Sequence, residues 1–100
     1  MRLTKSEQEI IVEIFSTIFE KNDKLWLFGS RTDDTKKGGD IDLMVETLCT
    51  DSSLLFEKKM SFLVELKWKL GDQKIDFLTK TPTSSNQLLD HIIKTGIRLK

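Results

Sequence analysis

In Asp40-Ile41-Asp42-Leu43-Met44-Val45-Glu46 acidic and apolar residues alternate at the start with a period of two. That period is the signature of a β-strand: Asp40 and Asp42 on one face, Ile41, Leu43 and Val45 on the other. Upstream, Leu25-Trp26-Leu27-Phe28 is a short apolar run ending at Gly29, as expected of a buried strand. The polar segment 29–39 joins the two and holds no helical pattern. Downstream, Lys74-Ile75-Asp76-Phe77-Leu78 reads as a third strand, with Ile75 and Phe77 inward and Asp76 on the opposite face. Helical periodicity fills the rest. Ile10, Ile11, Ile14, Phe15, Ile18 and Phe19 form one stripe behind a capping box at Thr4/Glu7 or Ser6/Glu9. A second helix is expected from about Asp51 to Gly71, with Phe56, Met60, Leu63, Leu66 and Leu70 towards the core. A last helix carries Leu88, Leu89, Ile92 and Ile93, its cap expected in the loop Pro82 and Thr83-Ser84-Ser85 and its end at Gly96.

The order helix, strand, strand, helix, strand, helix predicts an α+β layered domain with helices packed on a small mixed sheet. A ten-residue polar loop favours antiparallel pairing of the first two strands. An 18-residue helix between the second and third suits a parallel crossover. Antiparallel pairing brings Gly29-Ser30 beside Asp40 and Asp42, and a parallel neighbour sets Asp76 on the same face.

Composition bounds the possibilities. The 100 residues allow one domain, 1–100, with 16 basic and 16 acidic side chains and no net charge. This balance argues against strong nucleic-acid binding through phosphates, and no apolar run approaches a membrane span. Met1 to Lys5 lacks the apolar stretch of a signal peptide, and the lone Cys49 has no internal partner, so a reducing, cytoplasmic setting is expected. The charge is nevertheless segregated. Residues 1–50 hold 7 basic and 10 acidic side chains, residues 51–100 hold 9 and 6. A carboxylate-rich half beside a basic half fits a metal-holding site next to groups that meet phosphate, or an ordinary solvated surface.

Aspartate is a poor strand former, and like charges on one sheet face repel. Two at i and i+2, with a third from another apolar strand, call for a compensating cation. Hard divalent ions such as Mg²⁺ take carboxylate oxygens and keep positions for phosphate and water. Asp40, Asp42 and Asp76 beside a Gly29-Ser30 turn are therefore the parts of a two-metal phosphoryl or nucleotidyl transfer site. Gly29 lets the backbone approach a phosphate, and Ser30 can donate to its oxygens.

Gly29-Ser30, then nine residues, then Asp40-Ile41-Asp42-Leu43, followed by Lys74-Ile75-Asp76-Phe77-Leu78, resembles the polymerase-β-type nucleotidyltransferase superfamily over nearly the whole chain. The small size resembles its minimal nucleotidyltransferases (MNT), the antitoxins that partner HEPN-domain toxins. The resemblance implies that Gly29 and Ser30 hold the β- and γ-phosphates of a nucleoside triphosphate, usually ATP. It also implies that Asp40 and Asp42 bridge two Mg²⁺ ions and that Asp76 completes the ion facing the acceptor hydroxyl. Gly39 stands where many relatives carry serine. Arg31, Lys36 and Lys37 are candidates to clasp the triphosphate, or simply solvated loop cations. The function so implied is AMP transfer to an acceptor hydroxyl, a tyrosine of a HEPN toxin, which would make this chain an antitoxin. Two other readings stay open: a binding module that masks its partner, and the catalytic chain of a two-chain small-molecule nucleotidyltransferase.

Other reactive residues point nowhere further. His91 has no second histidine with which to build a metal site, and Cys49 reads as a small packing residue. Trp26 is expected in the core. Trp68, between Lys67 and Lys69, suits either burial or an exposed interface, and the basic tail Lys94 to Lys100 either solvation or an acidic partner.

Overall fold

The computed structural model describes residues 3–29, 41–71, 73–84 and 86–100. Its elements run α1 (Lys5–Ile18), β1 (Lys24–Phe28), β2 (Ile41–Glu46), α2 (Ser52–Leu70), β3 (Ile75–Lys80), α3 (Gln87–Thr95) and β4 (Ile97–Arg98). The four strands form one sheet in the order β3-β2-β1-β4. β1 pairs antiparallel with β2, and β2 pairs parallel with β3 through the α2 crossover. The expected α+β architecture and both strand pairings are thus present.

Local chemistry sets the helix ends. Thr4 Oγ1 accepts from the Glu7 amide at 3.0 Å, and Glu7 Oε1 accepts from the Thr4 amide at 3.0 Å. This closes the capping box on Thr4 rather than Ser6. Asp51 caps α2, its carboxylate accepting from the Leu54 amide at 3.1 Å. Gly71 follows with φ of 82°, a conformation other residues rarely adopt. Asp51→Ala should lower stability by about 1 kcal/mol, the usual worth of an N-cap, read as a lower urea midpoint at unchanged slope. The cap of α3 is Asn86, whose side chain accepts from the Leu88 amide at 2.8 Å. The expected Thr83-Ser84 segment instead turns on itself, Ser84 Oγ accepting from the Thr81 amide at 3.0 Å; Ser85 lies outside the described residues.

Strand alternation divides the interior in two. Leu25, Leu27, Ile41, Leu43, Val45 and Phe77 face α1 and α2 and join the main core with Ile11, Phe15, Phe62 and Leu66. Four aromatic rings knit this core: Phe62 lies 5.8 Å from Phe15, 5.7 Å from Phe19 and 5.5 Å from Phe77, all edge-on. On the opposite face Met44 packs with Leu89 and Ile92 of α3, flanked by Trp26, Phe28, Leu78 and Ile93. Helices therefore cover both faces, and α3 covers the one that carries Asp42 and Asp76.

Three expectations are corrected here. In α2 it is Phe62 that is buried, with Leu66, whereas Phe56 and Met60 are exposed. A stripe through Leu55, Phe62, Leu66 and Leu70 meets α1 and the sheet, and Phe56, Met60, Val64 and Trp68 make a second stripe turned outward. Trp26 is only half-buried, its indole N–H donating to Glu46 Oε1 at 3.4 Å. The basic tail is not simply solvated: Ile97 and Arg98 pair antiparallel with Leu27 and Trp26. Beyond them the Leu25 amide donates to the Lys100 carbonyl at 2.9 Å.

Candidate active site

Register brings the two described carboxylates together. Asp42 is the Cα partner of Asp76 on β3 and of Phe28 at the end of β1. Residues paired in register share a face, and neighbouring strands lie about 4.8 Å apart, so the two carboxylates start from adjacent points of one face. Asp42 is half-buried and Asp76 exposed, so the pair opens from the sheet towards solvent at the edge formed by β3. Beside them on this face lie the apolar residues Phe28, Met44 and Leu78, which pack against α3.

Gly29 completes the described part of the site. Its φ is 77°, and a Cβ built there would overlap Oδ2 of Asp42 and lie 3.0 Å from its Cγ. The absence of a side chain is what lets the chain leaving β1 pass against the Asp42 carboxylate. Gly29→Ala should therefore push the carboxylate aside. It should also cost on the order of 1–3 kcal/mol in backbone strain. An altered Asp42 amide resonance with unchanged circular dichroism would report the local displacement.

Asp40, Ser30, Arg31, Lys36 and Lys37 lie outside the described residues, as do Gly38 and Gly39. Of the eight residues singled out from sequence, the structure therefore brings together Gly29, Asp42 and Asp76. Among the described residues no group of three His, Cys, Asp or Glu side chains forms a metal cluster. The donor set present nevertheless fits a hard divalent ion: two carboxylates on one face, from neighbouring strands, beside a backbone cleared of a side chain.

The remaining reactive residues stand apart from this site. His91 is exposed on α3. Cys49 follows β2 at its far end, its amide donating to Thr47 Oγ1 at 3.1 Å. No helix among the described residues is long and apolar enough to cross a membrane.

Paired aspartates on adjacent parallel strands, approached by a glycine at the end of the first strand, are the part of the site expected from sequence that the structure describes. The family model described as "Polymerase beta, Nucleotidyltransferase" matches residues 9–100. The chain belongs to the polymerase beta nucleotidyltransferase family. No curated protein matches the chain.

Proposed function

We propose that this chain is a Mg²⁺-dependent nucleotidyltransferase that moves AMP from ATP to an acceptor hydroxyl, a tyrosine of a HEPN-domain toxin. The observation that carries the reading is the registered pair Asp42–Asp76 with Gly29 held open against Asp42. The family membership supports the same chemistry.

In this reading Asp42 and Asp76, with Asp40, hold two Mg²⁺ ions, and Gly29 and Ser30 bind the β- and γ-phosphates. When bound, the metal supplies positive charge that offsets the leaving pyrophosphate and makes the acceptor hydroxyl more acidic. Asp76, the more exposed carboxylate, faces the acceptor and takes up its proton. The hydroxyl oxygen forms a bond to the α-phosphorus while the bond from that phosphorus to the pyrophosphate oxygen breaks. Asp42, between Asp76 and the end of β1, keeps the phosphate side of the site in register with the acceptor side. Arg31, Lys36 and Lys37 are the cations proposed to clasp the triphosphate. Modification of the tyrosine would silence the toxin and make this chain its antitoxin.

The test is incubation with labelled ATP, Mg²⁺ and the protein encoded beside this one. Label on a partner tyrosine is the expected result. No label, or equal label from Asp42→Asn, overturns the assignment. The outward stripe ending in Trp68, 81% exposed, favours a second reading in which the chain masks its partner by contact alone. Neutralisation that survives Asp42→Asn and the removal of ATP would establish that reading instead.

A further inference from the structure

β3 is the outermost strand on its side of the sheet, and among the described residues no strand pairs with its outer edge. It runs for six residues, whereas β4 at the opposite edge has two. A long open edge is a template for another strand unless something blunts it. Alongside it runs a mainly apolar groove lined by Met60, Leu63, Val64 and Lys67 of α2 and by Ile75 of β3. Met60 and Val64 are 43% and 50% exposed, and Ile75 of the edge strand forms the groove's other wall.

The charges on the sheet face indicate what fits there. Lys24 pairs with Glu46, and Glu46 with Lys80, so one row across the sheet runs plus, minus, plus and stops at the edge. Beyond the apolar row Trp26–Met44–Leu78, the acidic row Phe28–Asp42–Asp76 stops at the same edge. Opposed residues in an antiparallel pair must share a face, so a two-fold axis between two copies of β3 must fall on a residue. Centred on Phe77, it sets Lys80 against Lys74 and Asp76 against Leu78. Centred on Leu78, it sets Asp76 of each copy against Lys80 of the other and Leu78 against itself. Of these two, only the second register extends the alternating row and sets each Asp76 against a cation.

We infer that β3 is a self-association edge: two copies join antiparallel about Leu78 into one continuous sheet, with Asp76 and Lys80 paired twice across the axis. The α2 helices then lie on the same side of the joined sheet, and the groove at Met60 and Val64 is covered by the second copy. In this assembly Lys80 of each copy stands beside the Asp42–Asp76 pair of the other. The inference concerns assembly and does not rest on the transfer reaction.

Sedimentation equilibrium in magnesium-free buffer tests it on the full chain. The expected result is a concentration-dependent species of twice the 11.6 kDa mass, weakened by salt. Met60→Glu, a surface change on α2 that leaves the sheet untouched, should return the chain to monomer. Lys80→Asp should do the same, and the charge-exchanged double variant Asp76→Lys/Lys80→Asp should restore the dimer. A monomer at all concentrations overturns the inference. So does a dimer that neither Met60→Glu nor Lys80→Asp disturbs, since its partner surface would lie elsewhere.

Discussion

Asp42→Asn is expected to cut nucleotidyl transfer by about a thousandfold or more, the usual effect of removing a group that stabilises transition-state charge. Stability should move the other way or not at all. Asn keeps the size and shape of Asp, but the Asp42–Asp76 register pair sets two like charges on adjacent strands. Such neighbours cost roughly 0.2–1 kcal/mol, so neutralising one relieves the repulsion. Lost activity with an equal or higher urea midpoint would separate a functional carboxylate from a structural one. Asp76→Asn should behave alike. Asp90→Asn, exposed on α3 and remote from the pair, should change neither quantity. An Asp42→Asn variant that unfolds easily while the remaining folded fraction keeps full turnover would contradict this account.

The largest stability effect is expected at Phe62. Its side chain is fully buried and touches the rings of Phe15, Phe19 and Phe77, which come from α1, the segment after it, and β3. Phe62→Ala removes the ring that joins both helices to the sheet and leaves a cavity. The cost should be about 3–5 kcal/mol, a large share of the ~5–15 kcal/mol that holds a small domain together. Phe56→Ala, on the outward stripe at 61% exposure, should cost less than about 0.5 kcal/mol at protein concentrations low enough to keep the chain monomeric. Denaturant titration of the two variants side by side measures the difference, and equal losses would be inconsistent with the described packing.

Phe56 and Phe62 also mark where sequence reading stops. Along α2 two apolar series interleave, Leu55, Phe62, Leu66 and Leu70 against Phe56, Met60, Val64 and Trp68. Each has helical spacing, so periodicity alone does not choose between them. The choice is made by what arrives opposite: the aromatic face of α1 and Phe77 of β3 are tertiary facts. β2 was legible because its alternation is strict where it matters, and its parallel pairing with the strand of Asp76 followed from the length of the crossover; which residue stands opposite Asp42 is a tertiary fact. β4 was hidden by brevity. Ile97-Arg98-Leu99-Lys100 does alternate, but two paired residues after a glycine carry too little pattern to stand out. The cap of α3 went to Asn86 because Ser84 is already engaged with Thr81, competition that local composition does not reveal. Of the site, Gly29, Asp42 and Asp76 were legible as types and spacings. What the sequence lacked was the steric reason for the glycine, the overlap a Cβ would make with the Asp42 carboxylate.

The central claim is that the carboxylates of Asp42 and Asp76 serve one divalent cation. Adding Mn²⁺ in small steps to the isotope-labelled protein and following amide line widths tests it directly. The account predicts broadening centred on Gly29, Asp42 and Asp76 and their immediate neighbours, displaced by Mg²⁺ and lost in Asp42→Asn. Broadening centred elsewhere, or unchanged by that substitution, would contradict it.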